Sequence, residues 1–151
     1  MRIGVISDTH GLLRAQAITA LQGCELIIHA GDIGKPEVLD GLRRVAPLQA
    51  IRGNVDSSDW AAALPEALDL EYAGRRLHVR HDLKTLDFDP AAAGVAVVIA
   101  GHSHQPLIER RDGVLYLNPG SAGPRRFRLP ICLAHLDLGA DRAEAELIQL
   151  S

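Results

Sequence analysis

Two histidines, His102 and His104, stand one residue apart in the stretch GHSHQP, directly behind the apolar run VAVVIA at 95–100. A pair of imidazoles at the mouth of a buried strand suits metal binding only if other strands bring matching groups to the same place. The chain repeats the arrangement in order: GVIS leads to Asp8-Thr9-His10, LIIHAG to Asp32, LQAIRG to Asn54, LHVR to His81, and VVIAG to His102-Ser103-His104. In open α/β sheets the carboxyl ends of strands are where sites form. On extended backbone, residues i and i+2 point the same way, so Asp8 with His10, and His102 with His104, are expected to lean into one cavity. Carboxylates, imidazoles and an amide oxygen, with no thiolate among them, suit borderline first-row divalent ions rather than a structural zinc cluster. Asp8, His10, Asp32, Asn54, His81, His102 and His104 together exceed what one ion uses. Two ions sharing a bridge are therefore expected, with Asp32 as the bridge because a carboxylate has two oxygens. The glycines of AGD, RGN and AGH read as sharp bends before each ligand.

The elements that must carry these groups follow from periodicity. RIGVIS (2–7), ELIIHA (25–30) and LQAIRG (48–53) read as strands, with helices over 12–23 and 35–45 between them. Alternating strands and helices predict a parallel sheet. The second half reads as a hairpin over 67–81 turning at Ala73-Gly74, a strand over 95–100, a hairpin over 106–118 turning at Asp112-Gly113, and two closing strands at 131–139 and 143–150. No linker or internal repeat interrupts this, so 1–151 is read as one domain with two sheets packed face to face and helices outside. His29, inside its strand, is read as a core or supporting histidine, and His78 and His135 as structural.

Composition narrows the function classes. Hydrophobic residues make up 47% and aromatics only 3%, which predicts an aliphatic core. Net charge is −3, so neither nucleic acid nor an anionic membrane is expected as partner. The cluster Arg125, Arg126, Arg128 reads as a solvated loop within reach of a local anion. No stretch resembles a signal peptide or approaches the ~18 apolar residues of a membrane helix. Cys24 and Cys132 show no metal spacing and read as free thiols, which points to the cytoplasm. The sequence leaves a homo-oligomer open.

The ordered set DTH, GD, GN, H, GHSH resembles the signature of the calcineurin-like metallophosphoesterases. The short length, GNVD, and NPGS at 118–121 resemble the small YfcE-type phosphodiesterases. The resemblance spans Met1 to about Leu138 and implies an α/β/β/α sandwich of two mixed β-sheets. It implies Asp8, His10 and His104 around one metal, Asn54, His81 and His102 around a second, and Asp32 between them. The ions are expected to be Mn2+, with Fe, Zn2+ or Ni2+ as alternatives, holding a bridging hydroxide that attacks a small phosphodiester. All seven ligand positions also count as catalytic. Asn54, Ser121 and Arg125 are candidate substrate contacts. Two departures stand out. Val55 occupies the place where the broader superfamily carries a histidine after GN, which removes a candidate proton donor. Asp82 and Leu83 follow His81 where the family writes glycine and often histidine, which makes His81 the least secure ligand.

Two other functions fit the same fold. One is a non-catalytic interaction scaffold like a retromer subunit, disfavoured because every ligand position is filled. The other is a phosphomonoesterase or protein phosphatase, disfavoured because those usually keep the GNH histidine.

Overall fold

The computed structural model describes residues 1–150. The first half builds β1 (Arg2–Ile6), α1 (Ala15–Leu21), β2 (Leu26–His29), α2 (Pro36–Arg43) and β3 (Leu48–Ala50), with the three strands parallel. A short helix, α3 (Asp59–Ala62), leads to β4 (Ala67–Tyr72) and β5 (Arg75–Arg80), then β6 (Val95–Ile99), β7 (Leu107–Arg111), β8 (Val114–Asn118), β9 (Cys132–Leu138) and β10 (Ala143–Gln149). One sheet has the order β10-β9-β1-β2-β3 and the other β4-β5-β6-β8-β7. Each is mixed: β9 joins β1 antiparallel, while β5, β6 and β8 run parallel between antiparallel edge strands.

Both expected hairpins form at the expected turns. Ala73-Gly74 (φ 53° and 73°) and Asp112-Gly113 (φ 52° and 80°) hold the left-handed pairs that two-residue hairpin loops require. Two details differ from expectation. The first helix starts at Ala15 rather than Leu12, because Gly11 turns left-handed (φ 85°) and Arg14 is still extended (φ −72°, ψ 145°). Helix α3 has only four residues, too short for an apolar period to announce it.

Alternation along the strands sorts side chains into layers. Ile3, Val5 and Ile28 from the first sheet meet Leu77, Val79, Val97 and Ile99 from the second in the inter-sheet core. The opposite face of the first sheet presents Ile6, Ile27 and Leu133 to Leu21 of α1 and Leu39 and Leu42 of α2. The outer face of the second sheet is covered more thinly. Val95, Val98 and Val114 meet Leu83 of a 3-10 turn (Leu83–Thr85), Phe88 and Tyr116. Cys24 and Cys132 are free and buried, and 107 residues lie between them in the chain. No helix among the described residues is long and apolar enough to cross a membrane.

The two sides of β6 test this layering. Val97→Ala, in the inter-sheet core, should cost roughly 2 kcal/mol, and Val98→Ala, under the thinner cover that is freer to collapse, about half as much. Urea denaturation of both variants measures it; equal losses would contradict the layering.

Candidate metal centre

Both sheets end their parallel strands on one edge, and the ligand candidates lie on the loops leaving it. The ladder between β1 and β2 continues past the strands: the Asp8 N–H donates to Gly31 O (3.0 Å) and the His10 N–H to Asp32 O (2.9 Å). The two loops are thus bound side by side. Here the backbone departs from the expected extended form. Asp8 (φ 55°), His10 (φ 46°), Asp32 (φ 56°), His102 (φ 70°) and His104 (φ 62°) all lie in the left-handed region. Asp8 and His10 do converge, as do His102 and His104, but through strained turns rather than strand alternation.

The result is two clusters, Asp8–His10–His104 and Asp32–His81–His102, each offering ligand atoms within 4.8 Å of one another. Asp8 is fully buried. Its Oδ2 accepts from the Ser7 hydroxyl (2.8 Å) and the His102 amide (3.1 Å). Its Oδ1 has no hydrogen-bond partner and faces the Nε2 atoms of His104 (3.5 Å), His10 (3.8 Å) and His81 (3.8 Å). Asp32 is built alike: Oδ1 accepts from the Val55 amide (3.1 Å), while Oδ2 lies 3.1 Å from His81 Nε2 and 3.7 Å from His10 Nε2. Asp32 therefore reaches both clusters through one oxygen, since the other is committed. A bridge by two oxygens, the reason first given for Asp32, does not fit this geometry.

These atoms suit cations. His81 Nδ1 donates to Ala30 O (2.7 Å), which aims the Nε2 lone pair at Asp32 Oδ2. Two acceptors at that distance require a positive centre between them, a proton or a metal ion. Burial opposes the Asp32 charge, but the His81 contact and the Val55 amide outweigh it and hold the carboxyl well below its usual range. Burial, and then the Arg126 charge, push His104 down to about 4, leaving it neutral as a ligand must be. The buried, unpartnered Asp8 Oδ1, His10 Nε2 and His81 Nε2, with His104 Nε2 facing Asp8 Oδ1, make a donor set that fits divalent ions.

Several residues hold this set in place. His29 Nδ1 accepts from the Gly31 amide (3.1 Å), so its Nε2–H donates to Thr9 Oγ1 (3.0 Å), whose own proton goes to Ile33 O (2.9 Å). This is the supporting role expected of it. Asp56 is buried and accepts from the amides of Ile33 (3.0 Å), Gly34 (2.9 Å) and Gly53 (2.9 Å), tying the Asp32 loop to the Asn54 loop. Asn118 donates to Gly101 O (3.0 Å) and Ser103 Oγ (3.1 Å), fixing the turn between His102 and His104. Ser121, expected to touch substrate, is buried and gives its hydroxyl to the Asp8 carbonyl (3.0 Å); it positions the Asp8 loop instead. Asn54 is exposed beside His81, lining a polar cavity. Arg125 is exposed, and its neighbour Arg126 is the one that lines a cavity on the His102 side. Asp82 needs no left-handed backbone (φ −113°): its Oδ1 accepts from the Lys84 amide (3.0 Å) and its Oδ2 lies 3.8 Å from His102 Nε2. His78, paired with Asp69 (2.8 Å), and His135, paired with Ala20 O (2.7 Å), are structural as expected.

The three glycines preceding ligands do different jobs. Gly31 turns left-handed (φ 102°), as expected of a bend. Gly53 and Gly101 do not; they are glycine because a Cβ would collide with Asp32 at the first and with Ser7 and Asp8 at the second.

Full burial lowers His29 from 6.5 to about 3. Below pH 6.5 the unfolded chain gains a proton there that the folded protein refuses, so stability falls as pH drops toward 3, by up to ~1.4 kcal/mol per pH unit. His29→Gln should flatten that slope in chelated protein by close to one proton between pH 6 and 4. Urea unfolding at stepped pH measures it, and an unchanged slope would show that His29 is not the buried neutral group described.

Comparison with known proteins agrees with this geometry. The chain is 34% identical to a probable metallophosphoesterase of Methanothermobacter thermautotrophicus, over 99% of this chain and 92% of the relative. Its fold superposes on that of an archaeal phosphodiesterase with a TM-score of 0.84 and 26% identity, covering 99% of this chain and 100% of that one. It also superposes on the phosphoesterase YfcE of E. coli (TM-score 0.72, 22% identity, all of both chains), a likeness that speaks for the fold. The family model of the calcineurin-like phosphoesterase superfamily domain matches residues 1–141, and with the two His/Asp clusters at its strand ends the chain belongs to that superfamily.

Proposed function

We propose that this protein is a divalent-metal-dependent phosphodiesterase acting on small phosphodiesters. The observation that carries the reading is the pair of carboxylate oxygens, Asp8 Oδ1 and Asp32 Oδ2, each facing imidazole nitrogens within 3.8 Å. In this reading Asp8, His10 and His104 would hold one ion, Asn54, His81 and His102 would hold the other, and Asp32 would serve both. Manganese is the first choice, with iron, zinc and nickel as alternatives. Two such ions supply a Lewis acid for the phosphoryl oxygens and a nucleophile usable at neutral pH.

The chain's own groups orient and exclude. His81 is aimed by Ala30 O, and the Asp8 loop is locked by Ser7, Ser121 and the His102 amide. Arg126, at the cavity beside His104 and His102, takes the anion-contact role first read for Arg125. Three candidates near the site are not free to protonate the leaving oxygen: Val55 has no donor side chain, His29 is neutral and sealed, and Asp56 already accepts three amides. Two buried thiols fit a cytoplasmic setting, and a net charge of −3 fits small substrates better than nucleic acid.

Chelation should abolish hydrolysis of an aryl phosphodiester, and added manganese should restore it. Loss of a residue that merely orients a ligand costs up to about a hundredfold, so Asp32→Ala should lose more than about a hundredfold in kcat/KM. Full activity in metal-free protein, or Asp32→Ala with unchanged metal stoichiometry and rate, would overturn the assignment.

With these three candidates excluded, and a positioned acid typically worth ~10²–10⁴-fold, the departing group's own acidity should govern the rate. A plot of log kcat/KM against leaving-group pKa across substituted aryl methyl phosphates should fall steeply where chemistry limits. A flat line under the same condition would reveal a proton donor in the site.

A further inference from the structure

The metal edge lies between two cavities of unlike character. On the His81 side, Arg52, Asn54, Ser57, Ser58 and Glu66 line a polar hollow of about 550 Å³. On the His102 side lies a hollow of about 770 Å³, within the range of small-ligand pockets. Its walls are Leu83, Val98, Leu107, Tyr116 and Phe127, and it opens directly onto Gly101 and His102. Lys84 and Arg126 border it, two cations against the single Asp82 carboxylate, which lies 3.8 Å from His102 Nε2.

Phe127 is the feature that the packing does not explain. It is 87% exposed, the most exposed large hydrophobic side chain described, and its backbone is left-handed (φ 54°). Leaving a phenyl ring in water forgoes burial, and the left-handed conformation of a bulky residue adds strain. The chain has only five aromatic residues in Phe, Tyr and Trp, and two of them, Tyr116 and Phe127, line this one hollow. An uncovered aromatic wall, an apolar floor and two cations, all contiguous with a metal centre, match an anionic ester bearing a flat apolar group.

We infer that the hollow beside His102 binds an aromatic or similarly flat apolar arm of the substrate, so that the preferred substrates are phosphodiesters with one ring-bearing arm. The inference rests on the phosphodiesterase reading. Leu83, Leu107, Tyr116 and Phe127 flank the ring, Lys84 and Arg126 meet the phosphate charge, and the polar hollow beside Asn54 receives the other arm.

Two stable phosphonates that differ only in this arm test it, methylphosphonate and 1-naphthylmethylphosphonate. Calorimetric titration into manganese-loaded protein should show the naphthyl compound binding tighter by roughly tenfold or more. Phe127→Ala, a surface change that leaves the core intact, should remove most of that advantage while methylphosphonate affinity stays within about twofold. Leu83→Gln, on the opposite wall, should act in the same direction. Equal binding of the two phosphonates by protein that does hydrolyse diesters would overturn the cavity assignment alone. So would an advantage that neither substitution reduces, or a concentration-dependent dimer that Phe127→Ala dissociates, since the ring would then belong to an interface between copies. Protein that binds neither phosphonate and hydrolyses no diester would overturn the phosphodiesterase reading, and the cavity assignment with it.

Discussion

Asp8 and Asp32 are buried carboxylates held close together; each is tied by one oxygen to backbone or hydroxyl donors and turns the other toward imidazole nitrogens. That arrangement governs the rest of the edge. An ionised group out of water is costly unless it is paired, and two like charges so near repel. The imidazoles of His10, His81 and His104 close around those oxygens, and His81 stands at 3.1 Å from Asp32. Imidazoles relieve the charge only while protonated, whereas a cation between them relieves it permanently. The arrangement is therefore suited to cations, and metal binding there would also stabilise the loops.

The loops pay for their geometry in strain. Five ligand residues sit at positive φ, each costing roughly 1 kcal/mol or more. Together that approaches the net stability of a whole domain, ~5–15 kcal/mol, so the loops cannot hold themselves. What holds them is cross-bracing between neighbours: Asp56 between the Asp32 and Asn54 loops, Asn118 on the His102 turn, Ser121 on Asp8, and Ala30 on His81. The strands beneath supply a rigid edge because they are buried from both faces. The braces come from three segments far apart in the chain, after β2, after β3 and at the end of β8, so a displacement of one ligand is resisted by residues distant from it in sequence.

Much of this was legible in the chain. The order of ligands survived into space because each follows a short apolar run that becomes a strand, and parallel strands put their ends on one edge. The hairpin turns were legible because Ala-Gly and Asp-Gly suit left-handed pairs. What stayed hidden has a physical pattern. Asp56 and Ser121 work through backbone amides and carbonyls, and a sequence does not display which amide a carboxylate will meet. The left-handed backbone at Asp8 and His10 is imposed by pairing of the β1 and β2 loops, which no local propensity encodes. Arg125 and Arg126 are adjacent and alike; only the turn of the loop decides which one lines the cavity. Gly31, Gly53 and Gly101 precede ligands alike in sequence, yet one is needed for its φ and two for the space they leave.

The uneven covering of the two sheets ties fold to chemistry. On the first sheet, α1 and α2 seal the outer face, and nothing enters between them and the strands. On the second, the cover shrinks to a 3-10 turn with Phe88, so Tyr116 of β8 stays half-buried at the cavity, with Val98 of β6 buried beneath it. A full helical layer there would bury more apolar surface and stabilise the sheet further. It would also close the hollow next to His102. The missing layer thus exchanges some burial for an open apolar wall at the metal edge, and Phe127 is poised at the border of that wall. One edge of the sandwich can hold charge only because the loops are braced, and can hold a flat apolar group only because the second sheet is left half-roofed.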